Sequence, residues 1–71
     1  MTEQKIVELG FIKQKSYKHD EYTTNRYKKG VLEVEFTYIG LNLINITTTI
    51  DEDCFEVDES DLNKLDNILN R

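Results

Sequence analysis

Residues 31–50, VLEVEFTYIGLNLINITTTI, decide the fold of this chain. Apolar side chains alternate with polar ones along both halves of the stretch, which is typical of strands with one buried and one wet face. The predicted buried positions are Leu32, Val34, Phe36, Tyr38, Ile44, Ile46, Thr48 and Ile50. The predicted wet positions are Glu33, Glu35, Thr37, Asn45, Thr47 and Thr49. A turn at residues 40–42, GLN, joins the halves into an antiparallel hairpin.

Weaker strand signals lie on both sides of this hairpin. Residues 11–15 and 22–27 predict two strands, joined by a polar turn at residues 16–21, SYKHDE. Residues 51–53 predict another turn, and residues 54–57 a short fifth strand. We therefore expect an antiparallel meander of four or five strands.

The N-terminal residues predict a short helix over residues 3–9, with Thr2 as its N-cap. Gly10 follows as the expected C′ residue with positive φ. In a Schellman ending, the next residue, Phe11, contacts Ile6 inside the helix. This segment should therefore lead directly into the first strand.

The C-terminal residues predict a second helix, with Asp58 or Ser60 as its N-cap and Arg71 near its C-terminal end. Its apolar stripe consists of Leu62, Leu65, Ile68 and Leu69. We expect Leu62, Leu65 and Leu69 to pack on Val34, Phe36, Ile44 and Ile46. The fold class is then α+β, with the helices packed on one face of the sheet.

The length and composition predict one domain, residues 1–71, with little room for a large cavity. The single cysteine, Cys54, excludes an intramolecular disulfide, and no apolar stretch is long enough for a signal sequence or a membrane span. A cytoplasmic protein is the simplest interpretation.

Catalysis is not indicated by the residue pattern. The only histidine, His19, lies in the polar turn segment, far in sequence from Cys54, and no triad can be assembled from them. We interpret His19 as a solvated turn residue and Cys54 as a small half-buried apolar side chain. The sequence thus predicts a protein that is not an enzyme and has no catalytic residues.

A calcium loop can be tested against the acidic run, because Asp51 and Asp53 match its first and third ligand positions. The sixth position, normally glycine, is Glu56, and the twelfth, normally glutamate, is Leu62. We expect neither a metal site nor a cofactor.

The charge is divided unevenly along the chain, although the net charge is -5. Residues 1–30 carry seven bases and four acids (+3), while residues 31–71 carry two bases and ten acids (-8). Seven of these acids form what we call the acidic strip: Asp51, Glu52, Asp53, Glu56, Asp58, Glu59 and Asp61. The ordinary explanation is a solvated turn followed by a helix N-terminus, and the functional one is a mimic of nucleic-acid charge.

Aromatic rings interleaved with bases in the N-terminal half suggest contact with single-stranded RNA. The candidate contacts are Lys13, Lys15, Tyr17, Lys18, Tyr22, Arg26, Tyr27, Lys28 and Lys29. The ordinary explanation is a solvated hairpin whose lysines keep edge strands from pairing and whose tyrosines cover the core.

Four features carry a resemblance: the pattern LGF at residues 9–11, the tyrosine- and lysine-rich hairpin, GVLEVEFTYIG at residues 30–40, and the leucine-striped C-terminal helix. Together they resemble small proteins encoded by phages and mobile elements of Bacteroidetes-type bacteria. That class includes anti-CRISPR inhibitors, and the resemblance implies an inhibitor of a type VI RNA-targeting effector nuclease. The implied partner is the nuclease or its RNA complex, and the implied location is the cytoplasm of the host cell if a phage encodes the protein. The resemblance assigns no individual residue, and the acidic strip is our own hypothesis for the contact. The alternatives are a small RNA-binding module and a structural protein that dimerises by its sheet face or strand edge; the state is monomer or homodimer.

Overall fold

The computed structural model describes residues 1–70 and has the predicted α+β class. Arg71 lies outside the described residues. The elements, in chain order, are α1 (Glu3–Glu8), β1 (Ile12–Lys13), β2 (Tyr17–His19), β3 (Tyr22–Lys29), β4 (Leu32–Ile39), β5 (Asn42–Ile50), β6 (Asp53–Phe55) and α2 (Glu59–Leu69). All strand pairs are antiparallel, in the order β1-β3-β4-β5-β6, and β2 pairs with β3 beside β1.

The strand β2 was not expected, because its residues fall in the segment predicted as a turn. The turn itself is only Asp20 and Glu21, and His19 pairs directly with Tyr22 across it. All three residues of β2 are exposed, so they lack the apolar alternation by which a sequence reveals a strand.

Two-residue turns connect β2 to β3, β3 to β4, β4 to β5 and β5 to β6. The first residue of each has a positive φ: 54° at Asp20, 58° at Gly30, 59° at Gly40 and 56° at Asp51. Positive φ at the first central position alone is the pattern of type II′ hairpin turns, whose twist matches that of the strands. Each strand from β3 to β6 therefore lies beside the one that precedes it in the chain.

A β-bulge interrupts the long central hairpin. Thr37 lies opposite Asn45 but Tyr38 lies opposite Leu43, so Ile44 is the extra residue on β5. Residues that pair across strands share a face, which places Leu43 on the face where Ile44 was expected. Ile44 is 48% exposed, and the prediction that it is buried under the C-terminal helix is wrong.

The core lies between the sheet and both helices, which cover the same face. The buried residues of this hydrophobic core are Ile6, Phe11, Tyr27, Leu32, Val34, Phe36 and Leu62. Leu65 packs against this set, but Leu69 at the end of α2 is exposed. The expected contact of Leu69 with the sheet is therefore wrong, because polar contacts from Asp66 and Asn70 hold the last turn of the helix instead.

The predicted helix ends are confirmed. The side-chain hydroxyl of Thr2 accepts a hydrogen bond from the backbone N–H of Lys5 at 3.2 Å, which is the contact of an N-cap. Gly10, with φ 96°, donates to the carbonyl of Val7 at 3.0 Å, and Phe11 donates to that of Ile6 at 3.1 Å, the two bonds of a Schellman motif. At α2 it is Asp58, and not Ser60, that caps the helix. Neither helix in the described part of the chain is long and apolar enough to cross a membrane.

Candidate functional site

A hydrogen-bonded carboxylate joins α1 to the sheet. Glu3 accepts bonds from the amide of Asn25 at 3.0 Å, from the hydroxyl of Tyr27 at 2.7 Å and from the hydroxyl of Tyr38. Burial opposes ionisation of Glu3, but these bonds outweigh it and hold its pKa below the ordinary value. Burial, together with the Glu3 carboxylate, raises the pKa of both tyrosines to about 12. The cluster is internally satisfied and ties the helix to β3 and β4.

A second buried contact joins α2 to the sheet. The ammonium of Lys29 lies 2.7 Å from a carboxylate oxygen of Asp66 and donates to the carbonyl of Leu9, also at 2.7 Å. Burial of Asp66 opposes its charge, but the bonds from Lys29 and Asn70 outweigh this and lower its pKa. Lys29 is thus committed to the interior of the protein and does not present its charge to RNA.

On the other face of the sheet, which neither helix covers, the bases of β3 lie beside acids of β4. Arg26 is 3.3 Å from Glu35, and Lys28 is 3.9 Å from Glu33. The hydroxyl of Tyr17 donates to the carboxylate of Glu35 at 3.1 Å, and the guanidinium of Arg26 lies 5.5 Å from the centre of the Tyr17 ring. These pairs neutralise much of the charge in the middle of the sheet.

The remaining candidate RNA contacts do not form one surface. Tyr27 is only 4% exposed and belongs to the core, while Tyr17 and Tyr22 lie on the open face. Lys18 pairs with Thr23, which places it on the helix-covered face, opposite to those rings. Three of the candidate lysines, Lys13, Lys15 and Lys18, lie outside β3. They are exposed at the β1 and β2 edge, with no described acidic partner within ion-pair distance.

The acidic strip gathers at the opposite edge of the sheet. It runs through the β5–β6 turn, β6, the connection to α2 and the first turn of that helix. All seven side chains are exposed, and none is in an ion pair with a basic residue among residues 1–70. The other three acids of residues 31–71, Glu33, Glu35 and Asp66, each have a cationic partner. The unmatched negative charge of the C-terminal half is therefore concentrated in the strip.

A shallow groove of about 370 Å³ borders the strip. It is lined by Leu43, Ile44, Asn45 and Ile46 of β5, and by Glu56 and Val57 after β6. The groove exists because β6 pairs only with residues 48–50 and leaves the rest of that side of β5 uncovered.

The two residues considered for nucleophilic chemistry lie at opposite edges of the sheet. His19 is on β2 and Cys54 on β6, with β3, β4 and β5 between them. Four strand spacings separate these edges by roughly 19 Å, so the two residues do not form a nucleophile and base pair. Cys54 is exposed, with its sulfur 3.5 Å from the hydroxyl of Thr49, which corrects the expectation that it is half-buried. No three His, Cys, Asp or Glu side chains in residues 1–70 are grouped to hold a metal ion.

Which acids remain without a cationic partner could not have been derived from composition alone, because the pairing of the other acids depends on strand register and on the docking of α2.

Comparison of the chain with protein families, curated proteins and solved structures found no match.

Proposed function

We propose that this protein is a non-catalytic inhibitor that binds a host-defence nuclease of the RNA-targeting CRISPR type. In this proposal the acidic strip occupies a basic surface on which the nuclease holds RNA. The observation that carries the proposal is the contrast between seven exposed, unmatched carboxylates and three paired ones in the same half of the chain.

The physical argument concerns preorganisation and charge. An RNA-binding channel is lined with Lys and Arg side chains that bind a row of phosphates. Carboxylates that have no cationic partner among residues 1–70 can meet these groups without first breaking an ion pair with one of them. Complementary charge also speeds the encounter and fixes its orientation.

The arrangement of the two sheet edges supports the same proposal. The unpaired lysines among the candidate RNA contacts, Lys13, Lys15 and Lys18, lie on the β1 and β2 edge, and the strip lies at the other edge, with three strands between them. At physiological ionic strength, charges farther apart than about 8 Å are largely screened from each other in solvent. A basic partner can therefore approach the strip without meeting these three lysines, although the exposed Lys64 follows Asp61 by three residues on α2.

The test uses a type VI effector loaded with guide RNA and measures both RNA cleavage and binding of this protein at low and high salt. Replacing Asp53, Glu56 and Glu59 with lysine should abolish inhibition and reduce the salt dependence of binding. Asp58 is left intact because its carboxylate caps α2, accepting from the backbone of Asp61 at 2.8 Å.

The matched control reverses Lys13, Lys15 and Lys18 to glutamate. These three are in no described ion pair, whereas Lys28 and Lys29 are paired with Glu33 and Asp66. Because the charge of Lys13 helps to lower the pKa of Glu3, the melting temperature of the variant is measured together with its inhibition. Inhibition should survive in this variant. The opposite result would be that the variant with Lys13, Lys15 and Lys18 reversed loses inhibition and binds free RNA less well, while the variant with Asp53, Glu56 and Glu59 reversed still inhibits. In that case the RNA-binding function replaces the one proposed.

A second pair of variants separates charge from stability. Asp51 and Asp20 occupy the same turn position with nearly equal positive φ, a conformation that glycine adopts without strain. Both Asp51→Gly and Asp20→Gly should leave the melting temperature unchanged or higher. Only Asp51→Gly removes a charge from the strip, so only it should weaken binding.

A further inference from the structure

The groove between β5 and the segment after β6 has apolar walls. Four of its lining residues are apolar: Leu43, Ile44, Ile46 and Val57. Leu43 and Ile44 are 43% and 48% exposed, whereas Ile46 and Val57 pack against the hydrophobic core and are thereby held in place. Ligand sites in proteins span roughly 300–1,000 Å³, so a groove of about 370 Å³ suits a single side chain better than a large cofactor.

The polar side chains of the groove present acceptors. The carboxylate of Glu56 is exposed and is in no ion pair with the described residues. The amide nitrogen of Asn45 donates to the hydroxyl of Thr47 at 3.0 Å, which turns the remaining polar atom of that side chain, a carbonyl oxygen, to other uses. The groove therefore favours an occupant that carries N–H donors and a positive charge.

The chain supplies no cation of its own to this groove. No Lys, Arg or His occurs in residues 30–63, a stretch that contains all the lining residues. No ion pair among residues 1–70 involves a lining residue. The charge of Glu56 is thus available to a cation from outside.

We infer that this groove binds an arginine side chain presented by a protein partner. The methylene stem of the arginine lies along Leu43, Ile44 and Val57, since long cationic side chains bury their stems on apolar surface. The guanidinium meets Glu56 and the carbonyl oxygen of Asn45, because its planar fork of five donors matches a carboxylate and can reach a second acceptor. The ammonium of a lysine is a compact, strongly hydrated charge and fits this pair of acceptors less well.

A single side chain suits the groove better than an added strand. Glu56 and Val57 line the same groove as residues 43–46 and so occupy the side of β5 on which an added strand would pair. The bulge at Ile44 also interrupts the regular spacing of backbone groups that strand pairing requires. An inserted side chain needs no regular edge.

This inference deepens the proposed function and rests on it for the identity of the partner. Protein surfaces that hold RNA are rich in arginine, whose fork binds phosphates. The strip would then attract such a surface over a distance, while the groove fixes one arginine in a defined position. Charge attraction of this kind acts mainly on the rate of encounter, and a well-seated contact acts on the rate of dissociation.

Titration of the full chain with a blocked glycine-arginine-glycine tripeptide, followed by amide NMR shifts at low salt, tests the inference without any nuclease. Shifts should be confined to residues 43–46 and 56–57 and should saturate with a dissociation constant on the order of 1–10 mM, as expected for a small ligand in an open groove. The lysine tripeptide should bind at least about twofold more weakly. The citrulline tripeptide, which has the shape of the arginine one without its charge, should give less than about a fifth of the shift at equal concentration.

Two pairs of variants locate the binding in the groove. Glu56→Gln should reduce the arginine shifts at least about threefold, whereas Glu52→Gln, which removes the same charge from the strip outside the groove, should reduce them by less than about half. Ile44→Ser should weaken binding, and Leu41→Ser, at a site that is 99% exposed and outside the groove, should not. The unperturbed part of each variant's spectrum shows that the fold is intact.

The outcomes separate this inference from the proposed function. Equal shifts from the citrulline and arginine tripeptides, shifts spread along the whole strip, or equal losses from Glu56→Gln and Glu52→Gln would overturn the groove as an arginine site. Shifts that grow with protein concentration in the absence of peptide would make a second copy the occupant and overturn it as well. Arginine binding as expected in a protein that does not bind the nuclease would support the groove and refute the proposed function.

Discussion

Gly30 and Gly40 occupy the same position in successive turns and have φ values of 58° and 59°, yet their surroundings differ. A Cβ added at Gly40 would meet no atom within 4 Å, whereas one at Gly30 would overlap the side-chain amide of Asn70. That amide donates to the carbonyl of Lys29 at 2.8 Å and accepts from the backbone of Val31 at 3.3 Å. A missing side chain in one turn thus makes room for the end of α2.

Gly40→Ala should cost about 1–2 kcal/mol of unfolding free energy, the strain of an L residue in a left-handed conformation. Gly30→Ala should cost more, because displacing Asn70 also breaks two hydrogen bonds worth about 1 kcal/mol each. Urea denaturation measures both. In an Asn70→Ala background the cost of Gly30→Ala should fall to that of Gly40→Ala. Equal costs in the parent would show that the Asn70 contact contributes nothing.

At the scale of elements, the structure was predictable wherever local chemistry determines it. The central hairpin and the Schellman ending at Gly10 follow from alternation and from one glycine, and both are confirmed. The strand β2 was missed because an edge strand exposed on both faces has no buried period. The bulge was missed because one extra residue, Ile44, shifts the alternation without any turn residue to mark it.

The candidate site was predictable only in part, for a related reason. The run of acids at residues 51–61 is visible in the sequence, and their charge predicts that these side chains are exposed. Which acids stay unmatched depends on contacts between distant residues: Glu35 with Arg26 across two strands, and Asp66 with Lys29 through helix docking. These non-local pairs leave no local pattern.

The packing of α2 gives a prediction at this scale. Leu62 is fully buried, so Leu62→Ala should cost roughly 2–5 kcal/mol. Leu69→Ala, at an exposed site on the same stripe, should cost less than about 1 kcal/mol. Chemical denaturation of the two variants provides the measurement. Similar losses from both would mean that the last turn of α2 packs on the sheet after all.

For the whole molecule, the pH dependence of stability follows from two hydrogen-bonded carboxylates, the partly buried Glu3 and the buried Asp66. The folded-state pKa values of Glu3 and Asp66 lie below the ordinary 4.5 and 3.8, so the unfolded chain binds protons more readily in acid. Their contribution is present above those ordinary values and is lost as the pH falls through the folded-state ones. Tyr27 and Tyr38 behave oppositely: their contribution is present below pH 10 and is lost as the pH rises toward about 12.

Glu3→Gln should therefore flatten both limbs of the stability curve: the acid limb because the carboxyl no longer titrates, and the alkaline limb because the carboxylate helps to raise both tyrosine pKa values. Urea midpoints measured from pH 3 to pH 11 test both effects. The comparison is between parent and variant at each pH. Parallel curves would contradict the assigned role of Glu3.

The order of the strands has a consequence for how the chain acquires its structure during synthesis. Each hairpin closes across two residues, so the sheet can grow strand by strand as the chain leaves the ribosome, and contacts of short sequence separation favour rapid folding. Helix α1 has all its polar partners once residue 38, which lies 35 residues after Glu3, has emerged. The Lys29 and Asp66 contact spans 37 residues and needs nearly the entire chain. The N-terminal helix can thus dock while β4 is still the growing edge, and the C-terminal helix closes the core last.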